Sequence, residues 1–371
     1  MNILFVCENY FPHIGGVEIV FKNLAEGLIK QGHQVALVTH QLKGTPKRET
    51  IKGVHIHRVP CFDNRYLFTF FAIPKVLRLA KKADIIHTTT FNGAPPAWLA
   101  SKIHHKPCVL TVHEVWINQW HKITNMNKIS SVIHNFLEKS IYRLDYTHYV
   151  CVSQSTQKQL SQLNIKPHKI SVIYNGVDYQ HWQPRKNKKS QNFCYCFNGR
   201  PGTSKGLEYL IKAVPLISRL IPHSKLVAFV SQDPAYQKNY QKIIKLIKKL
   251  KIQDKVTLHP PVSYKNLPSY LQSADCIVVP SLAEGFGFTA AEACALGVPV
   301  VASNTASLPE VVSGKFVLVE PQNPQAIARG VHQVFQKQYQ KNHLKKFELQ
   351  NNINNYLTLY ENLNRSRTLS T

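Results

Sequence analysis

Two glutamates set eight positions apart are the first residues in this chain whose spacing suggests chemistry. They lie in Val279-Pro280-Ser281-Leu282-Ala283-Glu284-Gly285-Phe286-Gly287-Phe288-Thr289-Ala290-Ala291-Glu292-Ala293-Cys294-Ala295-Leu296-Gly297-Val298-Pro299. A strand-like run ends in a Gly-bracketed turn bearing Glu284, a helix-like run follows, and Glu292 stands roughly two turns further on at about 3.6 residues per turn. Carboxylates placed in this way address different parts of one extended ligand. Glu292 suits a pair of ribose hydroxyls and Glu284 a reacting sugar, whereas the plain alternative is a helix cap and a surface charge.

A second loop, Asn198-Gly199-Arg200-Pro201-Gly202-Thr203-Ser204-Lys205-Gly206-Leu207-Glu208, sets a guanidinium and an ammonium beside a helix start. Together with the free amides of that start they make a diphosphate clamp that needs no metal; the alternative is a solvated basic loop. The Gly-Lys-Ser/Thr order of a Walker A loop is absent. Gly15-Gly16 in Tyr10-Phe11-Pro12-His13-Ile14-Gly15-Gly16-Val17-Glu18 opens another helix, where it reads either as a phosphate approach or as a simple turn. It is not Gly-x-Gly-x-x-Gly, which speaks against a nicotinamide or flavin dehydrogenase. No Asp-x-Asp occurs, so diphosphate binding through a metal held by such a pair is not expected, nor is a cofactor.

These loops need elements to position them. Short apolar runs alternate with amphipathic stretches: Ile3–Cys7, Val35–Thr39, Val54–Val59, Ile85–His87, Val109–Val112, Tyr149–Val152 and Ser171–Tyr174, with Val17–Lys30 as the first helix. That alternation predicts parallel strands joined by crossover helices. The polar segment Gln183–Asn192 reads as a linker, after which the pattern restarts at Phe193–Phe197, Leu226–Val230, Val256–Leu258, Cys276–Val279, Val298–Val301 and Phe316–Val319, with helices at Leu207–Leu220 and Tyr236–Leu250. The expectation is α/β: two Rossmann-like, doubly wound domains facing a central cleft, with ligands beyond the carboxyl ends of the strands. The boundaries are 1–178, a linker at 179–192, 193–340, and a terminal segment at 341–371.

Composition excludes disorder as the main state: 371 residues, 44% hydrophobic, 18% charged. The net charge of +26 is spread through both halves and favours anionic partners such as phosphorylated small molecules, nucleic acid or an anionic bilayer; a Lys-rich genome composition is the bland alternative. Eight cysteines scattered without zinc-ligand spacing fit a reducing compartment. The short apolar N-terminal run and the lack of a long apolar stretch predict a cytoplasmic chain that is neither exported nor membrane-spanning. Asn64–Lys82 combines five cations with aromatics and no acid, as either an interfacial helix or a core helix with a basic edge would. Lys238, Lys242, Lys245 and Lys249 recur at the spacing of an ordinary surface helix.

With these motifs on the page, the chain resembles the retaining glycosyltransferases of family 4, which have the GT-B fold. The Glu284/Glu292 pattern with Gly297-Val298-Pro299-Val300-Val301-Ala302 carries the resemblance most specifically. Gly15-Gly16, His113 after the fifth predicted strand, Asn175-Gly176-Val177-Asp178, the Arg200/Lys205 loop and Leu308-Pro309-Glu310-Val311-Val312 extend it along nearly the whole chain. The resemblance implies that Arg200 and Lys205 hold the diphosphate of a nucleotide-sugar donor and Glu292 its ribose. Glu284 with the Gly287, Phe288 and Thr289 amides would hold the sugar, and Gly16 would approach the diphosphate or the acceptor. Gly15 and His113 would lie by the acceptor, His113 beside the reacting sugar unless it is one more ordinary histidine among 18. The terminal stretch Leu344–Leu363 would cross back to the first domain. Three departures concern sugar identity: Glu114 where Asp is usual, Phe288-Thr289 in place of Leu-Pro, and Ala306-Ser307 in place of glycines. The acceptor is a glycan, a lipid or a small molecule, with an anionic membrane surface as a further expected partner. The rival readings are a GT-B nucleotide-sugar epimerase and a basic nucleic-acid-binding protein. The second is disfavoured because no RNA-binding signature or zinc finger is present, so no nucleic-acid partner is expected.

Overall fold

Runs of Val, Ile and Leu too short for helices pair into two sheets, in which consecutive side chains alternate between faces. The computed structural model describes residues 1–13, 15–62, 64–124, 126–184 and 191–368, so residues 185–190 of the expected linker lie outside the described residues. The chain divides into two units: Met1–Asn118, Lys128–Gly176 and Phe347–Thr371 form one, and Gln119–Asn127 with Val177–Lys346 form the other.

In the first unit the strands are β1 (Asn2–Val6), β2 (Gln34–His40), β3 (Arg48–Ile51), β4 (Val54–Val59), β5 (Ile85–Thr89), β6 (Cys108–Val112), β7 (His148–Cys151) and β8 (Ile170–Val172). Their order is β3-β4-β2-β1-β5-β6-β7-β8, parallel except for β3. Ile3 pairs in register with Val35 on one side and Ile85 on the other. Ile3 and Phe5 enter a core with Phe21, Leu24 and Leu28 of the helix Gly16–Lys30, while Leu4 and Val6 enter an opposite core with Ile86, Leu110 and Val112. Both faces are covered, which is why the strands read as unbroken apolar runs.

In the second unit β9 (Cys194–Gly199), β10 (Lys225–Val230), β11 (Val256–His259), β12 (Cys276–Val279), β13 (Val300–Ser303), β14 (Lys315–Val319) and β15 (Gln340–Lys341) are ordered β11-β10-β9-β12-β13-β14-β15. Strands β3 and β15 have no counterpart in the sequence pattern. Both are short, polar, antiparallel edge strands, held by pairing to a neighbour rather than by burial. Because β3 exists, His113 follows the sixth strand rather than the fifth.

The terminal helix Leu349–Thr368 belongs to the first unit and starts five residues later than its apolar pattern suggests. Residues 340–346 stay with the second unit, where Lys345 donates to the Glu310 carbonyl at 2.8 Å and its amide to Ser313 Oγ at 3.1 Å. The helix buries Ile353, Tyr356 and Tyr360. A Cβ on Gly27 would stand 2.3 Å from Ile353 Cδ1, and one on Gly176 2.6 Å from Leu349 Cα, so two glycines set how closely this helix lies. The Tyr360 hydroxyl is 2.5 Å from His87 Nδ1, and the Tyr356 hydroxyl is 2.9 Å from Thr111 Oγ1.

Asn64–Lys82 is not one helix. It breaks into a short turn at Arg65–Leu67 and helices at Phe68–Phe71 and Ile73–Ala80. Phe68, Ala72, Val76 and Ala80 are core, whereas Tyr66, Phe70 and Phe71 are exposed. The buried residues follow the core-helix expectation, and Tyr66, Phe70 and Phe71 stay outside that core. No helix among the described residues is long and apolar enough to cross a membrane.

Candidate functional site

The strand order of the second unit reverses direction between β9 and β12, which pair directly. The two loops leaving their carboxyl ends therefore lie side by side, the arrangement in which open α/β sheets bind ligands. After β9 the chain makes a one-turn helix at Thr203–Lys205, then turns through Gly206 into the helix Leu207–Leu220. Gly206 has φ +66°, and a Cβ there would stand 1.9 Å from the Pro280 carbonyl oxygen in the β12 loop. Only glycine permits both that backbone and that approach. The Leu282 amide donates to the Ser204 carbonyl at 2.7 Å and ties the loops together.

This junction brings Lys205 Nζ to 2.6 Å from Glu284 Oε1, with both side chains largely buried. Ser281 Oγ donates to the same carboxylate oxygen at 2.8 Å, and Ser307 Oγ donates to the Glu284 carbonyl at 3.0 Å. Ser307 and its neighbour Ala306, at φ +51°, occupy the positions where the resemblance led us to expect glycine. Ala306 adopts the left-handed backbone without the residue that favours it. Gly287, at φ +92°, precedes the helix Phe288–Ala295, and a Cβ there would stand 2.9 Å from Leu308 Cδ2. The first amides of that helix, at Phe288 and Thr289, have no intrahelical acceptor.

Glu292 lies one turn deeper on the same helix and is buried, which pushes its carboxyl up to about 8. Tyr264 lies near enough for the Glu292 charge, after burial, to help push its phenol up to about 12. Tyr264 accepts a hydrogen bond from Trp182 Nε1 at 3.1 Å, and its ring stacks on His181 at 4.3 Å.

The two expected clamping cations are held by different side chains. Arg200 is exposed and donates to the Tyr236 hydroxyl at 2.9 Å, with its guanidinium 5.4 Å from that ring's centroid, while Lys205 is engaged by Glu284. Each cation thus has a side-chain partner of its own.

In the first unit the order reverses between β1 and β5. Gly15 caps the helix Gly16–Lys30, and a Cβ there would meet Glu18 Oε2 at 2.5 Å. The Glu18 carboxylate, 2.9 Å from His13 Nδ1, sits at the helix start, where the macrodipole favours an anion. The position that the sequence offers to a phosphate is thus faced by the helix's own acid. His113 follows β6, its Nε2 is buried without a hydrogen-bond partner, and burial lowers its pKa to about 4, so the imidazole is neutral near pH 7. Its ring centroid is 6.4 Å from that of Phe21.

Sequence reasoning missed Ser281, Tyr236 and Tyr264, which resemble any turn serine and surface tyrosines. It also missed Glu8, which follows β1, accepts from Asn92 Nδ2 at 2.6 Å and pairs with Arg65 at 3.3 Å. An acid directly after a wholly apolar strand was the available signal.

Comparison with known proteins agrees with this architecture. Residues 14–181 match the model of Glycosyltransferase Family 4, and residues 178–356 match that of Glycosyl transferases group 1. An uncharacterized glycosyltransferase of Methanocaldococcus jannaschii, MJ1607, is 31% identical over 93% of both chains. The phosphatidylinositol N-acetylglucosaminyltransferase GPI3 subunit of Saccharomyces cerevisiae is 24% identical over 86% of this chain and 72% of its own. Among solved structures, sucrose-phosphate synthase from Thermosynechococcus elongatus superposes with TM-score 0.77 at 20% identity, over 99% of this chain and 97% of that one. HepE from Anabaena, in complex with UDP-glucose, superposes with TM-score 0.73 at 17% identity, over 100% and 99%. The two Rossmann-like sheets are those of GT-B structures, and this chain belongs to the family 4 glycosyltransferases.

Proposed function

We propose that the chain transfers a sugar from a nucleotide-diphosphate donor to an acceptor with retention of configuration, and that it does so without a metal. The observation that carries this reading is the Lys205–Glu284 pair at the switch point of the second sheet. In the reaction, the bond between the anomeric carbon and the β-phosphate oxygen breaks and a bond to the acceptor oxygen forms on the same face. The acceptor's proton passes to the departing phosphate. Negative charge grows on the diphosphate, where Lys205 and Arg200 neutralise it, and positive charge grows on the sugar beside the Glu284 carboxylate. The Phe288 and Thr289 amides supply further donors, and Glu292, once ionised, accepts from the ribose hydroxyls. His113, neutral at working pH, offers the sugar a hydrogen bond through Nε2.

The acceptor is lipid-linked or an envelope glycan, met on the cytoplasmic face of a membrane. The likeness to the GPI3 subunit of a phosphatidylinositol N-acetylglucosaminyltransferase supports this, as do eight unpaired cysteines and the cationic composition. Thermal-shift measurement against a panel of nucleoside diphosphates and nucleotide sugars tests the donor, since a ligand at about 100 times its dissociation constant stabilises by about 2.7 kcal/mol. A stabilising nucleotide whose effect is lost in Lys205→Ala supports the reading. If no nucleotide shifts the transition, or the Lys205→Ala variant responds as the wild type does, the reading fails.

A further inference from the structure

The helix Lys128–Arg143 in the first unit is turned the wrong way out for a soluble helix. Ile129, Val132, Ile133, Phe136 and Leu137 follow the i, i+3, i+4 spacing of one apolar stripe, yet that stripe faces solvent: Ile129 is 74% exposed and Phe136 63%. The face turned to the protein carries Ser131, Glu138, Ile141 and Tyr142, with the buried Glu138 accepting from the Trp116 amide at 2.8 Å. A carboxylate inside and a phenylalanine outside reverse ordinary amphipathicity. The exposed face is also continuous with the aromatics of the preceding segment. The Tyr66 hydroxyl reaches His134 Nε2 at 3.3 Å, and near Tyr66 stand Phe62, Phe70 and Phe71, of which Phe62 is 83% exposed and 6.0 Å from Phe71.

The C-terminal end of the same helix opens onto a cavity of about 560 Å³ lined by Lys139, Tyr142, Arg143, Lys166 and Lys169. Its only acid is Asp145, already bonded by Lys169 at 2.5 Å. Lys139 and Arg143 follow Phe136 by three and seven positions, so the cationic cavity adjoins the apolar stripe on the helix surface. An apolar face this large needs a cover. The charge decides which cover: a second copy of a chain carrying +26 would bring cations against cations, whereas an anionic bilayer offers acyl chains to the stripe and phosphates to the cavity.

We infer that the helix Lys128–Arg143, with the Phe62–Phe71 aromatics, is a bilayer-docking face, and that the Lys139/Arg143/Lys166 cavity takes the phosphate headgroup of an anionic lipid. This deepens the reading that the acceptor is met at a membrane. The test uses the whole chain without donor or acceptor, so failure of docking and failure of the transferase reading separate.

Vesicle co-sedimentation compares phosphatidylcholine alone with phosphatidylcholine containing phosphatidylglycerol. The wild type is expected on the anionic vesicles only. The Val132→Gln/Ile133→Gln/Phe136→Gln variant is expected to lose at least about tenfold in binding through lost insertion. Lys139→Gln/Arg143→Gln should lose a further factor of about five per cation, an effect that disappears at high salt. Thermal unfolding and nucleotide binding of each variant report on folding, and single Phe136→Gln replaces the triple variant if the latter does not fold. The inference is overturned if the wild type ignores anionic vesicles, if folded variants bind them equally well, or if light scattering shows a dimer that the apolar substitutions convert to monomer.

Discussion

Lys205 and Glu284 meet at 2.6 Å across 79 positions of sequence, because β9 and β12 are neighbours and Gly206 lets one loop press on the other. Each residue satisfies the other's charge. The pair holds the two loops together and, on the proposed function, also serves the reaction, and substitution separates the two roles.

Removing one member should cost both stability and activity. Lys205→Ala is expected to lose about 2–5 kcal/mol of transition-state stabilisation, read as kcat/KM, and about 1–3 kcal/mol of folding stability from the Glu284 carboxylate left without its ammonium. The double variant Lys205→Met/Glu284→Gln should recover most of the stability and none of the activity. Denaturant midpoints and kinetics of the three proteins check this, and parallel recovery of both would show that the pair is not at the reaction centre.

Arg200 should prove a softer site. Its guanidinium is exposed and rests on Tyr236, so Tyr236→Phe, which keeps the ring and loses one hydrogen bond, is expected to change donor KM by no more than a few-fold. Arg200→Ala should depress kcat more strongly. Activity of the wild type should persist in a chelator. Complete loss that Mg²⁺ or Mn²⁺ restores would contradict the cationic clamp.

Glu292 gives the pH dependence. Its folded carboxyl is raised from 4.5 to about 8, so between those values the folded state holds a proton that the unfolded state releases. Stability from this group is present below about pH 4.5 and is lost as pH rises through about 8. Glu292→Gln should flatten that decline in a series of melting temperatures. On the proposed role of Glu292 the ribose hydroxyls select the carboxylate, so nucleotide binding should release protons near neutral pH. Calorimetry in two buffers of different ionisation enthalpy reads that release, which the Gln variant should lack.

Gly206→Ala isolates loop geometry from side-chain chemistry. The new Cβ would stand 1.9 Å from the Pro280 oxygen, so the loops must part and Lys205 must leave Glu284. Turnover should fall by at least about tenfold with every catalytic side chain intact. Gly314→Ala, at φ +69° with nothing within 4 Å of the new Cβ, should cost only the backbone term of about 1–2 kcal/mol and leave kcat unchanged.

Much of this was legible in the sequence because parallel strands buried on both faces announce themselves as unbroken apolar runs, as at Ile85–Thr89 and Cys108–Val112. Loop motifs that follow such strands, those of Glu284 and Lys205 among them, are then placed by topology. Arg48–Ile51 and Gln340–Lys341 stayed hidden because an edge strand held by backbone pairing leaves no trace in side-chain pattern. Ser281 stayed hidden because a serine that orients a carboxylate is spelled like one that faces water. The stripe of Lys128–Arg143 misleads outright: apolar spacing predicts a buried face, and the direction in which a helix turns its stripe is decided by what it packs against.

The first unit is interrupted by the second: residues 177–346 are synthesised between Gly176 and Phe347. Until the helix Leu349–Thr368 leaves the ribosome, the seat of Tyr356 and Tyr360, floored by His87 and Thr111, stands open, while the second unit already has all of its own residues. At about 5–20 residues per second that interval is long compared with local folding. The later half therefore has all of its residues before the earlier one does, and the earlier half lacks the side chains that fill its socket until Tyr356 and Tyr360 are delivered. Chaperone occupancy during translation should concentrate in that window and end when Tyr360 is delivered.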